Sequence, residues 1–233
     1  MRLTLIALLL AFGISRTATA QESEAATRQY AAAVGIQNLK QYSLAVEEWE
    51  TFLKKFPKDP RVDKAQHYLG TCALQDKQFT KAIDAFQIVV TKHPKFELMD
   101  QTLLNLGISW YGVAQKSEKA VDYAKAEASL ISMISKYPKS KYLASAMSYQ
   151  GESLYQQGKA VPAAAAYERL CALRTNLPPL ALYMAALTAL DTRQYEKAKQ
   201  HSATFLIMYP PGQADFQSTA RFAYGRKAFR QPK

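Results

Sequence analysis

Three histidines, two cysteines and one adjacent pair of glutamates are the residues of this 233-residue chain with the most chemistry in them. His67, His93 and His201 stand far apart, and so do Cys72 and Cys171. Transition-metal sites need Cys and His at short, fixed spacings, and no pair here has one. Glu47 and Glu48 are neighbours on a helical stretch, where adjacent side chains diverge, so they are poorly placed to act as a general acid/base pair. H-E-x-x-H, G-x-S-x-G, phosphate-loop and G-x-G-x-x-G patterns are absent, which leaves no nucleophile, phosphate cradle or dinucleotide site to name. The expectation is therefore a non-enzyme, with no catalytic, cofactor-binding or metal-ligating residues.

What does recur is a spacing. An aromatic, an Ala three residues on, large apolar residues at helical steps and a Pro fifteen residues from the start appear as Tyr42, Ala45, Trp49, Phe52 and Pro57. The pattern returns as Phe79, Ala82, Phe86, Val89 and Pro94, then as Tyr123, Ala126, Leu130, Met133 and Pro138. A degenerate copy follows at Ala160, Ala163, Tyr167 and Leu170, and a last one at Tyr195, Ala198, Ser202, Phe205 and Pro210. Upstream of each lies a partner stretch with helical apolar periodicity: Tyr30 to Leu39, Ala65 to Leu74, Gln101 to Tyr111, Leu143 to Tyr155 and Leu180 to Leu190. Each partner carries one small residue, in order Ala33, Gly70, Gly107, Gly151 and Ala186. Glycine inside a helix is unfavourable by about 1 kcal/mol against Ala, so its recurrence predicts a close helix crossing, with Ala45, Ala82, Ala126, Ala163 and Ala198 opposite. In the third copy Gly107 to Tyr123 spans 16 residues where Gly70 to Phe79 spans 9. Two extra turns, one on each helix, account for the difference and keep the faces in register. Gly112 to Lys119 is expected at the tip, as a plain elongation or as an interaction element.

Leu69-Gly70, Phe79, Ala82, Phe86 and Pro94 together resemble the tetratricopeptide repeat, a helix-turn-helix unit. The resemblance implies an all-α, right-handed superhelical solenoid of antiparallel helix pairs, about five repeats over residues 21–212. The remaining 213–233 is then a basic capping helix and tail. The Pro-Lys connectors are similar to those of bacterial envelope members, among them the Tol-Pal-associated cell division coordinator and the outer-membrane assembly lipoprotein. The resemblance also implies a groove lined by first helices, at positions three before and one after the small residue. Those are Tyr30 and Val34, His67 and Thr71, Leu104 and Ile108, Ser148 and Glu152, Tyr183 and Leu187. Members that clamp a C-terminal carboxylate use Lys and Asn there, and this chain has neither, so the expected groove is apolar and aromatic, suited to a peptide or partner helix. Tyr30, His67, Leu104, Ile108, Tyr111, Tyr155 and Tyr183 are the expected contacts. Tyr30 and Tyr183 read equally well as core contacts between repeats.

The ends complete the picture. Arg2, an apolar run from Leu3 to Ile14 and Ala18-Thr19-Ala20 before Gln21 read as a secretory signal peptide, residues 1–20. Cleavage after Ala20 removes Arg2 and Arg16 and lowers the formal net charge from +11 to +9. The expected product is exported, soluble and periplasmic, with no nucleic-acid partner. Cys72 and Cys171, in non-adjacent repeats, are expected as free thiols. After Asp215 the chain holds no acidic residue. Arg221, Arg226, Lys227 and Arg230 thus form the basic side of the capping helix or a surface for anionic lipid or glycan. Two functions follow: a scaffold for envelope proteins in assembly or division, or a binder of anionic envelope polymer.

Overall fold

The computed structural model describes residues 24–173, 177 and 179–208. The expected signal peptide, and the expected capping helix with Arg221, Arg226, Lys227 and Arg230, lie outside the described residues. Those described form ten α-helices in five antiparallel pairs. The first helices are α1 (24–38), α3 (Val62–Gln75), α5 (Met99–Ser117), α7 (Leu143–Gln156) and α9 (Pro179–Asp191). Their partners are α2 (Tyr42–Lys55), α4 (Phe79–Lys92), α6 (Ala120–Lys136), α8 (Ala160–Ala172) and α10 (Tyr195–Met208). None of the described helices is long and apolar enough to cross a membrane.

The same two backbone devices make every hairpin and most connectors. Two residues before each second helix the chain turns left-handed: Lys40, Lys77, Glu118, Gly158 and Arg193 have φ of 59°, 60°, 56°, 75° and 59°. At Lys77 the N–H donates to Leu74 O at 3.0 Å and the following Gln78 N–H to Ala73 O at 2.8 Å. That Schellman arrangement satisfies carbonyls the helix end would leave unpaired. Between pairs, His93-Pro94-Lys95-Phe96 closes a turn through Phe96 N–H to His93 O at 2.9 Å. Phe56-Pro57-Lys58-Asp59 and Tyr137-Pro138-Lys139-Ser140 do the same at 3.1 and 3.0 Å. Proline presets the second position of such a turn and disfavours helix in the residue before it, which is why α2, α4 and α6 stop at Lys55, Lys92 and Lys136. Those lysines also lie where a cation complements the helix dipole. Lengthening of the third hairpin is shared between its helices, 19 residues in α5 and 17 in α6 against 14 in α3 and α4. Gly112 to Ser117 is helical, so only Glu118 and Lys119 form the tip.

The chain divides within α5 into two compact units, 1–109 and 110–233. In the first, α2 buries Ala45, Val46, Trp49 and Phe52, and α4 buries Ala82, Ile83, Ala85, Phe86 and Val89. Full burial of each large side chain contributes about 1.5–3 kcal/mol. Trp49 is the centre: its ring meets Tyr30 edge-on at 5.0 Å and stacks on Tyr68 at 5.6 Å, and its indole N–H donates to Gln37 Oε1 at 3.0 Å. The second unit is filled with smaller pieces. From α8 come Ala163, Ala164, Ala166, Tyr167 and Leu170, and from α9 Ala181, Leu182, Met184, Ala185 and Ala189.

The helix crossing differs from the sequence expectation in one detail. A Cβ on Gly70 would lie 2.7 Å from the ring of Phe86, and one on Gly151 would lie 2.8 Å from the ring of Tyr167. The nearest atoms opposite these glycines therefore belong to aromatics one turn beyond Ala82 and Ala163. The small residue of each first helix makes room for a ring, which is a larger surface to bury than an Ala–Gly contact gives.

Candidate binding cavity in the second unit

Tyr111 and Gln115 of α5, Ser145, Ser148, Tyr149 and Glu152 of α7, and Leu180 of α9 line a cavity of about 380 Å³. Helical spacing puts them there: Ser145, Ser148, Tyr149 and Glu152 are separated by three or four residues and share one stripe of α7. Tyr111 organises the wall. Its ring meets Tyr149 edge-on at 5.4 Å and Tyr123 at 5.6 Å. Its hydroxyl donates to Glu152 Oε1 at 3.4 Å, Tyr167 donates to the other carboxylate oxygen at 3.3 Å, and Gln156 Nε2 donates to Oε1 at 2.8 Å. Burial, with the charge of Glu152 behind it, holds the Tyr111 hydroxyl well above the usual phenol range. Burial raises Tyr149 as well. Both remain neutral at any physiological pH. The cavity thus combines ring walls with one carboxylate and two serine hydroxyls, a pairing of apolar surface with a few convergent polar groups.

The residues expected from sequence are distributed more widely than one groove. Tyr111 lines this cavity together with Ser148 and Glu152, the two repeat positions of α7. Tyr155 does not line it; burial and then Asp191, to which it hydrogen-bonds, push its hydroxyl up to about 12. Tyr183 is half-buried on α9 and Ile108 half-buried on α5. Tyr30 is half-buried against Trp49 and Phe52, with the Arg61 guanidinium 4.8 Å from its ring centre.

Two of the expected contacts are buried. His67 is 1% exposed and Leu104 5% exposed, so as placed they fill the core and present almost nothing to a partner. His67 packs against Tyr68, Phe86 and Phe96 at ring distances of 5.4, 5.9 and 5.3 Å. Its Nδ1 lies 2.8 Å from Thr102 Oγ1, whose own hydroxyl donates to Leu98 O at 2.9 Å. The hydroxyl therefore accepts, and the proton of neutral His67 sits on Nδ1. Burial lowers its pKa to about 4. Ser145, Tyr149 and Leu180 were missed from sequence, because the repeat rule names two positions per helix and these line the cavity from others.

The remaining reactive groups have structural partners. Cys72 is buried and donates to Gln37 Oε1 at 3.3 Å, and Cys171 is half-buried; both thiols are free, and burial raises each to about 11. His201 pairs with Glu168 at 2.8 Å. Among the described residues no group of three or more His, Cys, Asp or Glu is placed to hold a metal ion.

Paired helices with a left-handed hairpin residue and a Pro-terminated second helix define a tetratricopeptide-like fold, and comparison with known proteins agrees. Residues 37–95 match the sequence profile of the tetratricopeptide repeat. No curated protein matches the chain. Among solved structures it is similar to pilF of Pseudomonas aeruginosa, at 18% identity over 84% of this chain and 82% of that one, TM-score 0.61. It is also similar to MamA of AMB-1, at 14% identity, 83% and 96% coverage and TM-score 0.62. A tetratricopeptide repeat protein of Parabacteroides merdae gives 13% identity, 86% and 73% coverage and TM-score 0.65. At these identities the likeness concerns the fold alone.

Proposed function

We propose that this chain is a non-catalytic scaffold that holds protein segments, and that it works after export, in the bacterial cell envelope, in assembly or division. The observation that carries the reading is the cavity of the second unit. A hollow with tyrosine walls and three kinds of hydrogen-bonding group, Glu152, Gln115 and the two serines, suits a peptide side chain better than a reaction, since no histidine or lysine base and no second acid lines it beside the serines. Export rests on the leader pattern of residues 1–20, and the envelope setting on the Pro-Lys connectors at Pro57, Pro94 and Pro138.

Cross-linked capture from envelope extracts with residues 21–233, at low and high salt, tests this reading. Ser148→Leu is run alongside, because a larger side chain there fills the cavity without touching the hairpins. Protein partners that survive salt and disappear with Ser148→Leu are the expected result. Recovery of anionic lipid or glycan alone, lost at high salt, would replace the scaffold by a polymer binder acting through Arg221, Arg226, Lys227 and Arg230.

A further inference from the structure

Glu152 is the one charged side chain among those lining the cavity. Its three partners are neutral donors, and two of them, the Tyr111 and Tyr167 hydroxyls, stand at 3.4 and 3.3 Å, long for such bonds. A carboxylate offers about four acceptor sites, so capacity is left over. Of the basic residues in the second unit, Lys125 pairs with Asp122, Lys159 with Glu127 and Lys197 with Glu168. Among the described residues none pairs with Glu152. The negative charge therefore stands at the edge of a hollow whose walls are the rings of Tyr111 and Tyr149.

We propose that this cavity accepts the guanidinium of an arginine supplied by the bound protein segment, with Glu152 as its counter-ion and the Tyr111 and Tyr149 rings as its walls. This rests on the scaffold reading above and gives its partner a chemistry. Arginine fits each part of the site. Its planar fork meets a carboxylate in two parallel hydrogen bonds, its face lies against aromatic rings, and it sheds water more readily than an ammonium group. Ser145, Ser148 and Gln115 supply hydroxyl and amide oxygens for the guanidinium N–H groups that the carboxylate does not take. A volume of about 380 Å³ is room enough for one such side chain.

Selection from a randomised library of nine-residue peptides on the full chain tests the assignment. Selected peptides are then remade with citrulline, the uncharged isostere, in place of each arginine. Enrichment of arginine at one register is expected, with about tenfold or greater weakening by citrulline, the scale of a charge-assisted hydrogen bond in a sheltered site. Glu152→Gln keeps an acceptor for one tyrosine hydroxyl and offers its amide N–H to the other, and it is expected to erase the arginine–citrulline difference with an unchanged unfolding midpoint. Tyr149→Leu, which leaves the carboxylate in place, is expected to reduce that difference in part. Peptides selected without arginine, or a citrulline effect that persists in Glu152→Gln, overturn the guanidinium site and leave the scaffold standing. Selection of no peptide at all overturns the scaffold reading too. A full-length chain with Arg221, Arg226, Lys227 and Arg230 all changed to Gln is expected to bind the peptides as the parent does. Tenfold tighter binding by that variant would mean that the chain's own tail occupies the cavity, and would overturn assignment to a partner.

Discussion

The two units are built on one hairpin and filled in opposite ways. Three residues before the small position, the first unit carries Tyr30, His67 and Leu104, the last two buried and the first edge-on to Trp49. At the same register of α7 the second unit carries Ser148, and there the cavity lies. The backbone devices do not distinguish the units, since left-handed turns at Lys40, Lys77, Gly158 and Arg193 recur in both. Side-chain volume at one repeat position is what changes, from a plug to a hollow. In a repeat protein the fold resides in the shared positions, and a binding site arises where one copy departs from them.

Changes in the first unit should break its plugged core. Trp49, fully buried, should lose about 3–5 kcal/mol on replacement by Ala, read from denaturant unfolding. A loss below about 1 kcal/mol would put Trp49 at the surface.

His67 makes the first unit the acid-sensitive one. Its pKa is about 4 in the folded chain against 6.5 for the free side chain, so between those values the unfolded chain binds the additional proton. Stability from this group is complete above about pH 6.5 and is lost as pH falls toward 4, on the order of 3 kcal/mol in all. Unfolding midpoints measured from pH 7 to pH 4 should fall less steeply in His67→Leu than in the parent. Parallel curves would mean that His67 is not held neutral.

Gly70→Ala and Gly151→Ala compare the units directly, because each new Cβ would enter the ring of Phe86 or Tyr167. Helix propensity favours Ala by about 1 kcal/mol, whereas overpacking opposes it by about 1–3 kcal/mol. Net destabilisation of about 1 kcal/mol is expected at both sites. A gain at either would show that its ring yields.

The smallest effect is expected at a hairpin. Lys77 has a φ of 60°, where a residue with a Cβ is disfavoured and glycine is not. Lys77→Gly should raise stability by about 0.5–1 kcal/mol in thermal unfolding, and would match the glycine found at the same position of the fourth hairpin, Gly158. A loss would show that the turn depends on the Lys77 side chain.

Sequence spacing made the helix pairs legible because register, hairpin and connector each leave a fixed residue at a fixed offset, such as Pro94 after Phe79. The sharing of the third hairpin's elongation between α5 and α6 was legible for the same reason: only whole turns keep Gly107 and Tyr123 in phase. Burial was not, because one repeat position can face a neighbouring ring or a hollow according to the size of what lies across from it. His67 and Leu104 were expected at a groove, yet the first meets Phe86 and Phe96 and both are enclosed. Ser148 and Glu152 were named by the repeat rule, but the partners that make Glu152 a site, Tyr111 and Tyr167, come from other helices. No linear pattern connects them.

The contrast between plug and hollow is tested most directly by giving α7 the filler that α5 carries. Ser148→Leu installs the side chain of Leu104 at the matching position of the second unit. Affinity for a captured partner segment, measured by titration calorimetry beside denaturant unfolding, should fall at least tenfold while the unfolding free energy changes by no more than about 1 kcal/mol. Undiminished affinity in a folded Ser148→Leu chain would contradict the account and place binding elsewhere on the molecule.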